Sequence, residues 1–162
     1  TAELSFPYYA GEVTGAAIGY TLSIKSSNQN YYDSMATPDL GDDTFIEDYY
    51  SYTGHRISLN VSYETDFNFI NTHKPVLSFW LNTEFVGYTN RLSKDGTGKY
   101  TDVKQSDFNY DVNAEFRHKL ADFWSYYVNF KFARFGSNMK WEAYGTYNYT
   151  YVMLSLGTAL SF

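Results

Sequence analysis

Six stretches of this chain alternate in side-chain character with a period of two, each over ten residues or more. No other feature constrains the fold as much. A period of two puts alternate side chains on opposite faces of a β-strand, whereas a helix needs a period near 3.6. The cleanest stretch is 105–118, where Phe108, Tyr110, Val112, Ala114 and Phe116 oppose Asp107, Asn109, Asp111, Asn113, Glu115 and Arg117. Over 13–25, Ala16, Ile18, Tyr20, Leu22 and Ile24 oppose Gly15, Ala17, Gly19, Thr21, Ser23 and Lys25. Over 52–65, Ile57, Leu59, Val61 and Tyr63 oppose Arg56, Ser58, Asn60, Ser62 and Glu64; over 76–90, Leu77, Phe79, Leu81, Thr83 and Phe85 oppose Ser78, Trp80, Asn82 and Glu84. Over 124–135, Trp124, Tyr126, Val128, Phe130 and Phe132 oppose Ser125, Tyr127, Asn129, Lys131 and Ala133. The last stretch, 147–162, sets Val152, Leu154, Leu156, Leu160 and Phe162 against Met153, Ser155, Gly157, Ala159 and Ser161.

A shorter alternation opens the chain: Leu4, Phe6 and Tyr8 against Glu3, Ser5 and Pro7. Proline confines a strand to an edge or a bulge. Residues 1–11 therefore suit either a short first strand or a segment crossing a barrel mouth. The connections alternate too. Those at 26–51, 91–104 and 136–144, the last continuing through 145–146 to the final stretch, are long and polar, and those at 66–75 and 119–123 are shorter. The first carries Asp33, Asp39, Asp42, Asp43, Glu47 and Asp48 with no Lys or Arg. It has room for a further hairpin, against which Pro38 and the acidic run argue, and 39–48 suits a short helical turn. The second carries the turn pair Asp95-Gly96 and the bases Arg91, Lys94, Lys99 and Lys104. With no linker or composition break, 1–162 reads as a single domain.

Alternation alone fits two opposite objects. A soluble sandwich or barrel turns its apolar face inward; a membrane barrel turns it to lipid and lines its lumen with the polar face. Four features favour the membrane barrel. The strands have the roughly 9–11 residues that a tilted crossing needs, against about 5–6 in most soluble domains. The polar parity carries the small residues Gly15, Ala17, Gly19, Ser155, Gly157 and Ala159, which suit a crowded interior. It also carries both charge signs: Lys25, Arg56, Arg117 and Lys131 with Glu64, Glu84, Asp107, Asp111 and Glu115, a composition that suits an internal ion-pair network. Finally, aromatic side chains make up 21% of the chain and gather near strand ends (Tyr50, Tyr52, Tyr63, Trp124, Tyr126, Tyr147, Tyr149, Tyr151), as interfacial girdles do. There is no apolar run of about 18 residues, hence no transmembrane helix, which leaves a barrel untouched. The fold expectation is all-β: an antiparallel transmembrane β-barrel with six clear strands, about eight if one chain closes it.

The final strand, with Phe162 at its end and Leu160, Leu156 and Leu154 at alternate positions before it, resembles the C-terminal strand of the bacterial outer-membrane β-barrel superfamily. Thr158 departs from that pattern, where a bulkier residue is usual. The resemblance implies a Gram-negative outer membrane, lipid and lipopolysaccharide around the wall, and a terminal strand read by the barrel-assembly machinery. It also implies periplasmic N- and C-termini, extracellular loops at 26–51, 91–104 and 136–144, and periplasmic turns at 66–75 and 119–123. No charged-then-apolar leader precedes Thr1, so export requires a signal peptide already removed, unless the sequence is a fragment. Six strands fall short of eight. Residues 1–11 could supply a seventh and a hairpin within 26–51 more; otherwise another protein chain completes the barrel, in a symmetric assembly, or this chain is the C-terminal part of a larger barrel.

The absence of cysteine excludes disulfides, thiolate catalysis and Cys-bound metals. A formal charge of −6 without a basic stripe argues against nucleic acid as a partner. Of the three histidines, His55 sits on the lipid-facing parity with Ser58 on the other, His73 lies in a turn and His118 beside one, so no Ser–His–acid group converges. The acidic 33–48 stretch lacks the spacing of a calcium loop, and the basic 91–104 loop suits lipopolysaccharide phosphates only in sign. The sequons at Asn60 and Asn148 fall within strands. No catalytic, cofactor or metal residue is singled out. The expected function is a non-enzymatic structural or interaction subunit of the cell envelope, with a porin-like small-solute pore and a lipid-active hydrolase as the alternatives.

Overall fold

The computed structural model describes residues 2–10, 14–33, 43–65, 70, 72–142 and 147–161, with residues 2–10 and 14 by backbone alone. Nine strands follow in order: β1 (Ala2–Ala10), β2 (Thr14–Lys25), β3 (Tyr31–Asp33), β4 (Thr44–Ile46), β5 (Tyr52–Glu64), β6 (Val76–Lys94), β7 (Tyr100–Ala121), β8 (Trp124–Ser137) and β9 (Tyr149–Leu160). No helix occurs among the described residues. Seven strands form one antiparallel sheet in the order β1-β2-β5-β6-β7-β8-β9, and β3 pairs with β4 alone. The sheet is open, with β1 and β9 as its edges.

The period-two pattern becomes an unbroken register. One row runs Ile18, Leu59, Leu81, Val112, Phe132, Val152 across six strands, and a second runs Ala16, Val61, Phe79, Ala114, Phe130, Leu154. The polar parity is equally aligned: Gly19, Ser58, Asn82, Asp111, Ala133 and Tyr151 form one row. Among the described residues, no other element packs against the apolar face. Leu154 and Leu156 keep 67% and 74% of their surface, and Ile18, Ile57, Phe79, Phe85, Phe108 and Phe130 are exposed with them. Buried apolar side chains among the described residues are only Ile46, Pro75, Ala133 and Met139. Ala133 lies on the polar face, so that face is the more sheltered one.

Several expectations shift. Residues 2–10 form a strand rather than a mouth-crossing segment, and Pro7 is accommodated because β1 is an edge. The 26–51 stretch does hold a hairpin, β3–β4. Its strands are too short for alternation to reveal them. Part of the expected helical turn, 39–42, lies outside the described residues, and Glu47–Tyr50 forms a non-helical turn with Asp48 at φ 51°. The 91–104 loop is mostly strand. β6 and β7 run past their neighbours as a hairpin whose tip turns at Asp95, as the Asp-Gly pair suggested. Register shifts between Gly87 and Lys94 break the parity there, which hid the extension from the sequence. At the other end, β7 and β8 join through Asp122 and Phe123, between the paired Ala121 and Trp124.

The ends of the chain also depart from expectation. Ala2 pairs with Leu22, beside the long-loop end, whereas Leu160 pairs with Trp124 at the short-turn end. An odd number of antiparallel strands puts the two ends of the sheet's chain on opposite sides, not the same side.

On the polar face, Gly157 leaves no room for a side chain. Tyr127 pairs with it directly, and a Cβ built there would overlap the tyrosine ring. Gly157→Ala should lower stability by about 1–3 kcal/mol, the usual range for forcing bulk into a packed site. Ala159→Ser, one step along the same face, should stay within about 0.5 kcal/mol. Equilibrium denaturant unfolding of the two variants checks the contrast.

Candidate functional site on the polar face and its aromatic cap

The polar face brings opposite charges into register. Arg56 Nη2 donates to Glu84 Oε1 at 3.0 Å, across the β5–β6 ladder. Arg117 Nε donates to Glu115 Oε1 at 2.9 Å, and Asn82 Nδ2 donates to Asp111 Oδ2 at 2.9 Å. The hydroxyls of Ser62 and Ser78 share a hydrogen bond of 3.0 Å. A hollow of about 280 Å³ opens between Arg56, Glu84, Asn82, Asp111, Asn109 and Phe135. The expected ion-pair network is therefore present at Arg56 and Arg117. The other two cations turn to rings: Lys131 to Tyr151 at 5.8 Å and Lys25 to Tyr50 at 5.6 Å from the centroid.

At the long-loop end this face meets a cluster that connects all three long connections. Arg91, on β6, lies 4.6, 5.0 and 5.8 Å from the ring centroids of Tyr49, Tyr88 and Tyr147. Its Nη2 donates to the Tyr147 hydroxyl at 3.0 Å, while its Nε is buried without an acceptor. Ring faces attract a guanidinium because the π-face is the negative part of the ring's quadrupole. Tyr49 stacks on Tyr31 at 4.6 Å and meets Tyr50 edge-on at 5.1 Å. Below the hairpin tip, Lys94 and the Tyr100 hydroxyl both donate to Asp33 Oδ2. Glu142 accepts from the backbone N–H groups of Tyr147 and Asn148 at 3.0 and 2.9 Å, which shapes the third connection. Trp141 packs on Gly98, whose φ of 89° is open to glycine at little cost. Comparison with protein-family models, curated protein sequences and solved structures found no match.

Burial pushes the Tyr49 phenol up to about 12, with Arg91 pulling against it. The Tyr100 phenol is also raised, by burial first and then by its bond to Asp33. Burial pushes the Asp33 carboxyl up, but hydrogen bonds from Lys94 and Tyr100 outweigh it and leave it below the ordinary 3.8. The signs give a window. A lowered carboxyl stabilises fully above 3.8 and loses its contribution as pH falls through its folded value. A raised phenol stabilises fully below 10 and loses its contribution as pH climbs toward about 12. The near-ultraviolet circular dichroism of the stacked tyrosines should therefore hold steady between those limits and fade outside them. Asp33→Asn, which leaves Lys94 without its counter-charge, should cost about 1 kcal/mol and flatten the acid limb.

Among the described residues, His55 lies at the opposite end of the sheet from His73 and His118. His55 Nδ1 bonds the Tyr20 hydroxyl at 2.7 Å on the apolar face, at the long-loop end. His118 is fully buried at the short-turn end, bonded through Nε2 to the His73 carbonyl at 2.9 Å. His73 lies 3.6 Å from Asp122, so these contacts fasten the two short turns together. In the acidic loop, Asp33 and Asp43 are engaged by Lys94 and by Tyr32. Among the described residues no group of three His, Cys, Asp or Glu is placed to hold a metal. The sequence did not single out the Arg91 cage. Its signal is weak: a tyrosine at each strand end around one arginine with no acidic neighbour in 88–94.

Proposed function

We propose that the chain is the wall of a bacterial outer-membrane β-barrel, a non-enzymatic structural or interaction subunit of the cell envelope. One observation carries the reading: in an aligned sheet of long strands, most of the large apolar side chains left exposed stand on the apolar rows, whereas Ala133, on the polar face, is fully buried. In water, an apolar patch of this extent is rare on a monomer; against acyl chains it is the expected surface. The polar face then forms the interior, filled by Trp80, Arg56, Glu84 and their neighbours, and the Arg91 cage covers its long-loop end. That arrangement favours a blocked barrel over a pore, and His55, at the opposite end of the sheet from His73 and His118, does not favour a hydrolase. The β9 strand suits the barrel-assembly machinery, and Lys99 and Lys104 on the protruding hairpin suit lipopolysaccharide phosphates.

Depth-resolved quenching by bromine-labelled acyl chains tests the wall. With other tryptophans replaced by phenylalanine, Phe79→Trp should be strongly quenched and native Trp80, on the opposite face, weakly. Quenching of Trp80 above Phe79→Trp, or of neither, would sink the proposal. Planar bilayers should show no steady conductance, and a stable open current would favour the pore instead.

A further inference from the structure

We propose that one further strand, supplied by polypeptide outside residues 1–162 and antiparallel to both β1 and β9, docks between these edges and closes the sheet. This rests on the barrel reading above and follows from strand parity. Seven strands in up-and-down order leave β1 and β9 pointing the same way, each starting at the long-loop end. They can meet directly only as a parallel pair, whereas bacterial single-chain barrels use an even number of antiparallel strands. A second copy inserted the same way up offers the same two directions and the same mismatch. One intervening strand removes it.

The β9 edge is prepared for such a partner. Its twelve residues, YTYVMLSLGTAL, contain no charge and no proline. Sheet edges meant to stay free are usually blunted by lysine, proline or shortness. Alternate N–H and C=O groups of β9 point away from β8, and in hydrocarbon no water can satisfy them. The β1 edge differs, because Pro7 has no donor to offer. The docked strand therefore makes its continuous ladder on β9 and a gapped one on β1. Its chemistry is fixed by the rows it extends. Residues beside Val152, Leu154 and Leu156 are apolar. Residues beside Ser155 and Gly157 are small or polar, since the Tyr127 ring already lies across Gly157. It runs from the short-turn end to the long-loop end, as β8 does.

A copy of Trp124–Phe135, which already has this direction and alternation, serves as the probe, fused ahead of Thr1 through a flexible linker. Amide hydrogen exchange in lipid bilayers is the readout. In the chain alone, alternate β9 amides should exchange about 100-fold faster than their β8-paired neighbours, and one fused copy should slow them by about 100-fold. Two fused copies restore an odd number and should give no such protection. Equal protection by one or two copies, or none by either, overturns the proposal. So does protection already present in the chain alone. The chain has no cysteine, so Ser5→Cys with Ser155→Cys reports the rivals cleanly. An intramolecular disulfide means that β1 closes the sheet itself, an intermolecular one that a second copy does, and either outcome sinks the idea. Acyl-chain quenching of Phe79→Trp in the same samples separates the two failures. Quenching without a strand effect rejects the added strand alone, and loss of quenching rejects the barrel beneath it.

Discussion

Val112→Arg should destabilise the folded chain in bilayers by about 2–4 kcal/mol, the depth-dependent penalty for a lipid-facing cation near the midplane. Val112 stands in the middle of the row Leu59, Leu81, Val112, Phe132, at mid-length of β7. Its neighbours offer no carboxylate on that face, and the β-strand holds the side chain away from the polar side. The same substitution at Phe85, four residue pairs nearer the long-loop end, should cost only about 0–1 kcal/mol, because the arginine side chain reaches the interface from there. Denaturant titrations in vesicles of defined thickness give both values. Equal costs at the two positions would contradict a bilayer around the apolar rows, since a soluble core penalises charge by burial and not by depth.

That contrast depends on which side chains share a face, and this was legible in the sequence. Phe108 to Phe116 alternate with Asp107 to Arg117 without a break, and the register joins such runs into rows that no single run could specify. Physical reasons account for what was missed. Alternation needs several residues to rise above chance, so the three-residue strands Tyr31–Asp33 and Thr44–Ile46 carry no pattern. The extension of β6 and β7 past residue 90 runs beyond the paired length of their neighbours, where bulges shift the parity. Pro7 left residues 1–11 undecided, because a proline tolerates an edge strand and a loop alike. The side on which each end of the chain lies depends on a count, and the count turned on that one undecided strand. The Arg91 cage was hidden for a different reason. Tyrosines at 49, 88 and 147 are far apart in sequence and resemble interfacial girdle residues one at a time. Only the convergence of three connections makes them a single site.

Arg91→Ala should open that site. The guanidinium faces three rings and donates one hydrogen bond, and each ring contact is worth about 0.5–1 kcal/mol when partly exposed. The combined loss comes to about 2 kcal/mol, since such contributions overlap. The sheet itself should hold, because its ladders do not pass through Arg91, whereas the 26–51 connection should loosen. That connection has no Lys or Arg but is rich in Tyr and Phe, so chymotrypsin reports it and trypsin does not. Cleavage after Tyr31, Tyr49 or Tyr50 should quicken by about 30-fold, the factor that 2 kcal/mol implies when opening precedes cutting. Arg91→Lys should recover only part of the protection, because a compact ammonium cannot lie flat against three rings at once. Cleavage unchanged in Arg91→Ala would mean that Asp33, Lys94 and Tyr100 hold the connection alone. A barrel sealed by its own interior should then remain non-conducting, and one sealed by the cage should begin to leak.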